Sequence, residues 1–186
     1  MEKHALHVGI VIPFYNGYDH LGNLLNSINV SASNLNCTVF IIENSSDRKE
    51  ITTGSNLDII VNIIKEKPRL GYGKACNVGY ELCCKNNLDY MIIANQDGYF
   101  SRNMIELLLQ PFKADNNIQM TAPLVHKYGS DEMEEFFIQY YISQVPTLVA
   151  DLFNKNVKTF YEIPRVSGAC FAFNLKNKKY GYNYLF

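Results

Sequence analysis

Short apolar runs recur along the chain, and most of them stop abruptly at polar residues. Runs of about four to eight residues that are bounded by polar or turn-forming residues are typical of buried β-strands. We therefore predict strands in six segments, in chain order HVGIVI, CTVFII, LDIIVNII, LDYMIIA, IQMTAPLV and CFAFNL.

Between these runs, apolar residues recur at the spacing of one helix face, as at Leu21, Leu24, Leu25 and Ile28. GKACNVGYELCCKNN reads as a helix entered through glycines, and SRNMIELLLQPF as a helix capped by Ser101. Apolar strands that alternate with helices indicate a mainly parallel central sheet flanked by helices on both faces. We predict a single α/β domain of Rossmann-like architecture.

Polar tails follow three of the predicted strands, at residues 14–16, 43–45 and 95–97. In open α/β sheets, ligands bind beyond the carboxyl ends of the strands. Because the carboxyl ends of parallel strands meet at one edge of the sheet, we expect the three tails to converge on one site.

Asp97 is the candidate metal ligand at this edge, because it follows a strand end and stands between Asn95 and Gly98. Oxygen ligands suit hard divalent cations, and Mg²⁺ takes only one or two protein carboxylates beside substrate phosphates. One aspartate would therefore be enough for Mg²⁺ or Mn²⁺ if a diphosphate supplied further ligands. The alternative is a turn aspartate that hydrogen-bonds its own backbone.

A second candidate segment is KPRLGYGKACNVGYELC, residues 67–83. Gly71 and Gly73 allow backbone to approach a ligand, Arg69 and Lys74 bring positive charge, and a helix N-terminus begins there. The segment matches neither the P-loop nor the dinucleotide fingerprint. The alternative is a glycine-rich turn with solvated cations.

The segment 131–153 has apolar residues at helical spacing, interrupted by Pro146, which predicts one or two amphipathic helices. We expect packing in the core or in a homodimer through residues 136–153. A membrane-contacting face is the alternative, although the stretch lacks the Lys/Arg-rich flank that such helices usually show.

Composition narrows the class of protein further. With 47% hydrophobic and 19% charged residues the 186-residue chain has globular composition, and its net charge of −1 argues against bulk attraction to nucleic acid. The N-terminus lacks the apolar core of a signal peptide. Five cysteines without a C-x-x-C pair favour free thiols, so we expect a cytoplasmic protein. Peripheral contact with the inner face of the membrane is compatible with this expectation.

Taken in order, five segments resemble motifs of the family 2 glycosyltransferases of GT-A fold. VGIVIPFYN is similar to the opening strand and nucleotide loop, and FIIENSSD to the second motif, with Glu43 at its acidic position. RLGYGKACNVG resembles the glycine segment, with Arg69 in place of the usual Asn. YMIIANQDGYF resembles the strand that ends in the metal-binding motif, in the N-x-D form common among rhamnosyltransferase-like members. VSGACFAFNL resembles the segment before the acceptor side.

The resemblance implies transfer of a sugar from a nucleotide-diphosphate donor to an acceptor hydroxyl with inversion, in surface polysaccharide synthesis. The acceptor would be a saccharide or a lipid-linked molecule. Mg²⁺ or Mn²⁺ would neutralise the leaving diphosphate, and a carboxylate would deprotonate the acceptor. Asp97 would hold the metal, Gln96 would lie near the sugar, and Gly71 and Lys74 near ribose or phosphate. The other residues expected to bind the donor are Pro13, Tyr15, Asn16, Glu43, Asn44, Arg69 and Asn95.

The acceptor side departs from the family pattern, because Asn183 and Tyr184 stand where Asp and Glu are expected. An amide cannot take a proton as a carboxylate does, and a tyrosine with a pKa of about 10 is a poor base at neutral pH. Within one domain, residues 1–186, we expect a donor-binding part, 1–125, and a truncated acceptor-side part, 126–186. The alternatives are an inactive nucleotide-sugar-binding domain, serving as pseudoenzyme or partner subunit, and a nucleotide-binding α/β domain unrelated to sugars.

Overall fold

The computed structural model describes residues 6–54, 56–127 and 129–177, and within these ranges the chain forms six strands and five helices. In chain order they are β1 (His7–Phe14), α1 (Tyr18–Ser31), β2 (Asn36–Glu43), β3 (Ile60–Lys65), α2 (Tyr72–Lys85), β4 (Tyr90–Ala94), α3 (Met104–Ala114), β5 (Met120–Thr121), α4 (Glu135–Gln144), α5 (Pro146–Phe153) and β6 (Cys170–Asn174). The described strands form one sheet in the order β3-β2-β1-β4-β6-β5.

Strands β1 to β4 run parallel to one another, whereas β6 is antiparallel to both β4 and β5. The prediction of a mainly parallel sheet flanked by helices is confirmed. Because β6 lies between β4 and β5, residues on both sides of position 125 build this sheet. The antiparallel β6 also brings its first residue, Cys170, beside Ala94 at the carboxyl end of β4.

The two faces of the sheet follow from the alternation of side chains along each strand. Ile10 and Ile12 of β1 pack in the core layer of α1 and α3, whereas Val11 packs in the layer of α2. The helix α2 comes close to β1 because Gly9 and Gly79 lack side chains. A Cβ at Gly79 would overlap the side chain of Val11.

Local predictions failed at three places. The first strand, predicted to end at Ile12, continues through Pro13, which pairs with Ile42 of β2. Pro13 is tolerated there because the pairing of β1 with β4 ends at Val11, so its missing N–H interrupts no hydrogen bond between these strands. Ser101 does not cap α3 with its side chain; its carbonyl accepts the N–H of Met104, and the helix begins there. The strand predicted in IQMTAPLV shrinks to the two residues of β5, because Pro123 follows closely and cannot donate to a ladder.

The segment that contains Pro146 forms two helices, and Pro146 occupies the first turn of α5, where its missing N–H is tolerated. The helices α4 and α5 pack on each other. Tyr141, Val145 and Leu148 form a small core of their own. No helix in the described ranges has both the length and the apolar character that crossing a bilayer requires.

Candidate functional site

The polar tails of β1 and β2 are joined directly by hydrogen bonds. The Asn44 side chain donates from Nδ2 to the carbonyl of Phe14 at 2.9 Å, and its backbone N–H donates to the same oxygen at 3.0 Å. The backbone N–H of Asn16 donates to Oγ of Ser45 at 2.8 Å. The predicted convergence of strand ends is therefore confirmed for these two tails, and Asn16 is held in a left-handed conformation, with φ of 56°.

The tail of β4 reaches β1 through the carboxamide of Gln96. The backbone N–H of Tyr15 donates to Gln96 Oε1 at 2.7 Å, and Gln96 Nε2 donates to the Tyr15 carbonyl at 3.0 Å. The N–H and C=O groups of successive residues in a strand point to opposite neighbours. The carbonyl of Phe14 points toward β2, so the backbone groups of Tyr15 point toward β4. The side chain of Gln96 therefore replaces the ladder bonds that β4 backbone would make, and it positions Tyr15.

Glu43 lies beneath the site rather than on its surface. Its side chain is buried, Oε1 accepts the backbone N–H of Ser45 at 2.8 Å, and Oε2 lies 3.5 Å from Nε of Arg48. Arg48 in turn donates from Nη2 to the carbonyl of Glu66. Both oxygens of the Glu43 carboxylate are therefore used to shape the loop after β2.

Arg69 adopts a left-handed backbone conformation with φ of 57°. Its N–H donates to the carbonyl of Asn44 at 2.8 Å, and its Nε donates to Oγ of Ser46 at 3.1 Å. Asn enters this conformation more readily than Arg does. The backbone at position 69 thus suits the Asn of the family motif, while the Arg side chain adds a positive charge at the site.

The N-terminus of α2 lies next to this arginine. Gly71 precedes the helix with φ of 90°, a conformation that favours glycine, and Lys74 is exposed in the first turn. The hydroxyl of Tyr72 donates to the carbonyl of Gly168 at 2.7 Å. This bond ties the first turn of α2 to the segment that enters β6.

An open cleft of about 350 Å³ lies at this edge of the sheet. Its lining is mostly apolar and comes from the ends of β1 and β2 and from the start of α2. The lining residues are Pro13, Tyr15, Asn44, Arg69, Gly71 and Tyr72. All but Tyr72 were predicted from the sequence to bind a donor.

A hydroxyl network connects two residues of the lining. Oγ of Ser46 lies 3.0 Å from the Tyr15 hydroxyl and accepts from Arg69. The hydrogen bond with Ser46 lowers the pKa of Tyr15, and the nearby Arg69 charge acts in the same direction. The network holds the aromatic ring of Tyr15 and the guanidinium in fixed relation at the mouth of the cleft.

Asp97 lies on the tight turn that follows β4. The N–H of Gly98 donates to the carbonyl of Asn95 at 3.1 Å, so Asp97 occupies the third position of the turn. Its side chain is exposed, and within the described part of the chain neither it nor the Asn95 side chain has a hydrogen-bond or ion-pair partner. The turn is present, but Asp97 does not hydrogen-bond its own backbone.

The oxygens of Asp97 and Asn95 suit a hard divalent cation, because carboxylate and amide oxygens are the ligands such ions prefer. Residues 6–54, 56–127 and 129–177 contain no group of three or more His, Cys, Asp or Glu side chains arranged to hold a metal ion. The donor set therefore fits an ion that a diphosphate also ligates, and it does not form a complete protein cage.

Several site residues were not predicted from the sequence. Ser46 and Tyr72 lie inside the second motif and the glycine segment but were not singled out there, and Gly168 contributes only a backbone carbonyl. The serine-rich ENSSD segment and the aromatic residue inside the glycine segment were the available signals. Asn183 and Tyr184, the candidates on the acceptor side, lie outside the described residues.

Comparisons with known proteins agree with this architecture. The model of a family described as Glycosyl transferase family 2 matches residues 9–180. No curated protein matches the sequence significantly. A crystal structure of TarS from S. aureus is 14% identical, with a TM-score of 0.50, over 70% of this chain and 23% of that chain. A crystal structure of a mycobacterial protein is 14% identical, with a TM-score of 0.52, over 92% of this chain and 53% of that chain.

These coverages mean that the chain spans about a quarter of the TarS chain and about half of the mycobacterial one. At such identities the likeness concerns the fold. It supports the predicted GT-A-like arrangement of a mixed, mostly parallel sheet flanked by helices.

Proposed function

The chain belongs to glycosyl transferase family 2, and we propose that it transfers a sugar from a nucleotide-diphosphate donor to an acceptor hydroxyl, with metal assistance and with inversion. The observation that carries the proposal is the strand-end cleft, since five of its six lining residues are among those predicted from the sequence to bind the donor. The acceptor is a saccharide or a lipid-linked molecule, and surface polysaccharide synthesis in the cytoplasm is the context we propose.

The lining suggests how the donor lies. Pro13, Tyr15 and Tyr72 offer apolar and aromatic surface to a nucleobase, while Arg69 offers a guanidinium to phosphate oxygens. The first turn of α2 adds backbone N–H groups and the positive end of a helix dipole, with Lys74 exposed beside them. The base and ribose would therefore sit between the two tyrosines, and the diphosphate near α2.

Glu43 and Gln96 act on the donor through other residues in this proposal. The Glu43 carboxylate holds the Ser45 N–H, and the Gln96 carboxamide holds the Tyr15 backbone. The resemblance implies direct contact of both side chains with base or sugar. Their hydrogen bonds instead favour positioning roles for both.

Asp97 and Asn95 would hold the divalent cation, Mg²⁺ or Mn²⁺, on the turn after β4. When bound, the ion supplies Lewis-acid stabilisation of the charge that develops on the leaving diphosphate. The residues of the chain do the remaining work: Arg69 binds phosphate, Tyr15 orients the base, and the Asp97 carboxylate, exposed at the turn, is available to an incoming ion.

A second candidate function is donor binding without transfer, as a pseudoenzyme or partner subunit. The observation that favours it is the pair Asn183 and Tyr184, where the family pattern expects acids that could take the acceptor proton. The two functions share the donor cleft and the metal. They differ in turnover alone.

Isothermal titration calorimetry tests donor and metal binding, which both functions share. It uses a panel of nucleoside diphosphates, with and without Mn²⁺. We expect at least one diphosphate to bind more tightly with Mn²⁺, and Asp97→Asn to lose that gain while keeping the metal-free affinity. Asp58→Asn is the matched control, because Asp58 is exposed just before β3, at the opposite end of the sheet. Failure of every diphosphate to bind would refute donor binding, and a Mn²⁺ effect that survives in Asp97→Asn would refute the metal assignment.

Turnover then separates the two functions. Sugar release or transfer from the donor that binds, abolished by Asp97→Asn, would establish the transferase. Tight Mn²⁺-dependent binding without turnover on any acceptor would establish the binding domain.

A further inference from the structure

The end of α5 and the loop after it expose an unusual amount of apolar surface. We call residues 152–160 the apolar–basic segment. Phe153 is 85% exposed, Val157 52%, Phe160 44% and Leu152 39%. Single exposed apolar residues are ordinary, but a contiguous group marks a contact surface.

The same segment is positively charged. Lys155 and Lys158 are exposed, and residues 152–160 contain no acidic residue, although Asp151 and the exposed Glu162 flank them. The carboxylate of Asp151, just before it, accepts the Tyr161 hydroxyl at 2.8 Å. The segment thus presents apolar and cationic side chains together.

Local hydrogen bonds hold the segment in shape. Lys155 has φ of 53°, the N–H of Asn156 donates to the carbonyl of Asp151 at 2.9 Å, and the N–H of Lys158 donates to the Tyr161 hydroxyl at 2.9 Å. Tyr161 also packs against the small core of α4 and α5. The buried residues of this helix pair form a core separate from the two cores on the sheet, so its outer surface is not needed to cover the sheet.

We propose that the apolar–basic segment docks on an anionic lipid surface. Phe153 and Phe160 would enter the headgroup region, and Lys155 and Lys158 would pair with lipid phosphates while their aliphatic stems stay near the apolar boundary. The stretch up to Phe153 has no basic flank within it, because both lysines lie after the end of α5.

Charge decides between a membrane and a second copy of the chain. In a symmetric dimer through this segment, two copies of the same cationic patch would come together, and residues 152–160 contain no acidic side chain to pair with the lysines. An anionic bilayer offers the opposite charge, which is worth about 1 kcal/mol for each lysine near the surface. The homodimer expected through residues 136–153 is therefore the alternative outcome of the test.

The docking surface lies near the donor cleft along the chain. Gly168, which accepts the hydrogen bond from Tyr72 at the cleft, lies eight positions after Phe160. Eight extended residues span at most about 28 Å. Docking would hold the cleft within reach of an acceptor at the membrane surface, although the proposal does not depend on the transfer reaction.

Co-sedimentation with vesicles tests the proposal. We expect the chain to bind vesicles of phosphatidylcholine with phosphatidylglycerol more tightly than vesicles of phosphatidylcholine alone, and to release them at high salt. K155Q/K158Q should weaken binding about 25-fold, at about fivefold for each charge. The charge-matched control, K85Q/K113Q, changes exposed lysines on α2 and α3 and should bind as the unmodified chain does.

Phe153→Ser should weaken vesicle binding at least about tenfold. Phe136→Ser is its control, because Phe136 is also highly exposed, at 73%, but lies on α4 beside Glu134 and Glu135. Two results would overturn the proposal: no preference for anionic vesicles, or equal losses in the test and control variants. A concentration-dependent dimer that Phe153→Ser dissociates, found by light scattering, would assign the surface to a second copy instead.

Discussion

Replacing Gln96 with alanine is expected to destabilise the fold and to weaken donor binding through one mechanism. The carboxamide makes two hydrogen bonds to the Tyr15 backbone, at 2.7 Å and 3.0 Å, across 81 residues of chain. Alanine removes both bonds and releases the loop between β1 and α1. Tyr15, on the wall of the cleft, would then no longer be held in place.

The magnitude follows from the two bonds. A typical intramolecular hydrogen bond contributes about 0.5–1.5 kcal/mol net, so the pair contributes about 1–3 kcal/mol. Tyr15 is 40% exposed, and water can replace part of the loss, so we expect about 1–2 kcal/mol. In a chain of this length, that corresponds to a fall in the unfolding midpoint of about 2–8 °C.

Urea denaturation of Gln96→Ala measures the stability, and calorimetry with the best nucleoside diphosphate measures the binding. For the stability measurement alone, Asn95→Ala is the control on the same turn, since the Asn95 side chain has no hydrogen-bond partner among residues that the structure describes. It should leave the stability within about 0.5 kcal/mol.

A double-mutant cycle with Gly17 sharpens the test. Gly17 has φ of −91°, which alanine tolerates, but a Cβ there would overlap the Gln96 carboxamide. Gly17→Ala should therefore destabilise the unmodified chain and have little effect beside Gln96→Ala. If Gln96→Ala left the stability unchanged and still abolished donor binding, the positioning role would be refuted, and direct contact with the donor would take its place.

Three further changes test the site and the core. Arg69→Asn should raise the unfolding free energy by up to about 1 kcal/mol, because Asn accepts the left-handed φ of 57° more readily, and should weaken diphosphate binding in calorimetry; a clear loss of stability would mean that the bond to Ser46 outweighs the strain. Tyr72→Phe should cost about 1 kcal/mol in urea denaturation, through the lost hydrogen bond to Gly168, and no change would show that this bond contributes nothing. Burial raises the pKa of the Cys37, Cys76 and Cys170 thiols to about 12, from 9.0. As pH rises, the thiols of the unfolded chain ionise before those of the folded chain. The unfolding free energy should therefore fall above about pH 9, by up to about 1.4 kcal/mol per thiol and pH unit. Iodoacetamide at pH 8 should modify only the exposed Cys84 of the native chain, and rapid labelling of a second thiol would contradict the burial.

Most of the helices and strands, and the edge of the sheet that carries the cleft, could be predicted from local patterns in the sequence. Apolar runs and helical spacing are local patterns, and each follows from burial of one strand or of one helix face. Five lining residues of the cleft could be predicted because they stand at strand ends or beside glycines. Boundaries were wrong where local signals competed, as at Ser101, whose backbone carbonyl rather than its hydroxyl meets the helix start.

The hydrogen-bond partners of the polar side chains at that edge could be found only in the folded structure. From the sequence, Glu43 and Gln96 look like ligand-binding residues. In the fold, the Glu43 carboxylate accepts the N–H of Ser45, and the Gln96 carboxamide accepts the N–H of Tyr15. Tyr72 joined the cleft because β6 returns antiparallel beside β4 and places Gly168 under its hydroxyl. These hydrogen bonds join residues that are distant along the chain. The direction of a side chain at a turn also depends on how several strands pack together. No pattern within one segment records them.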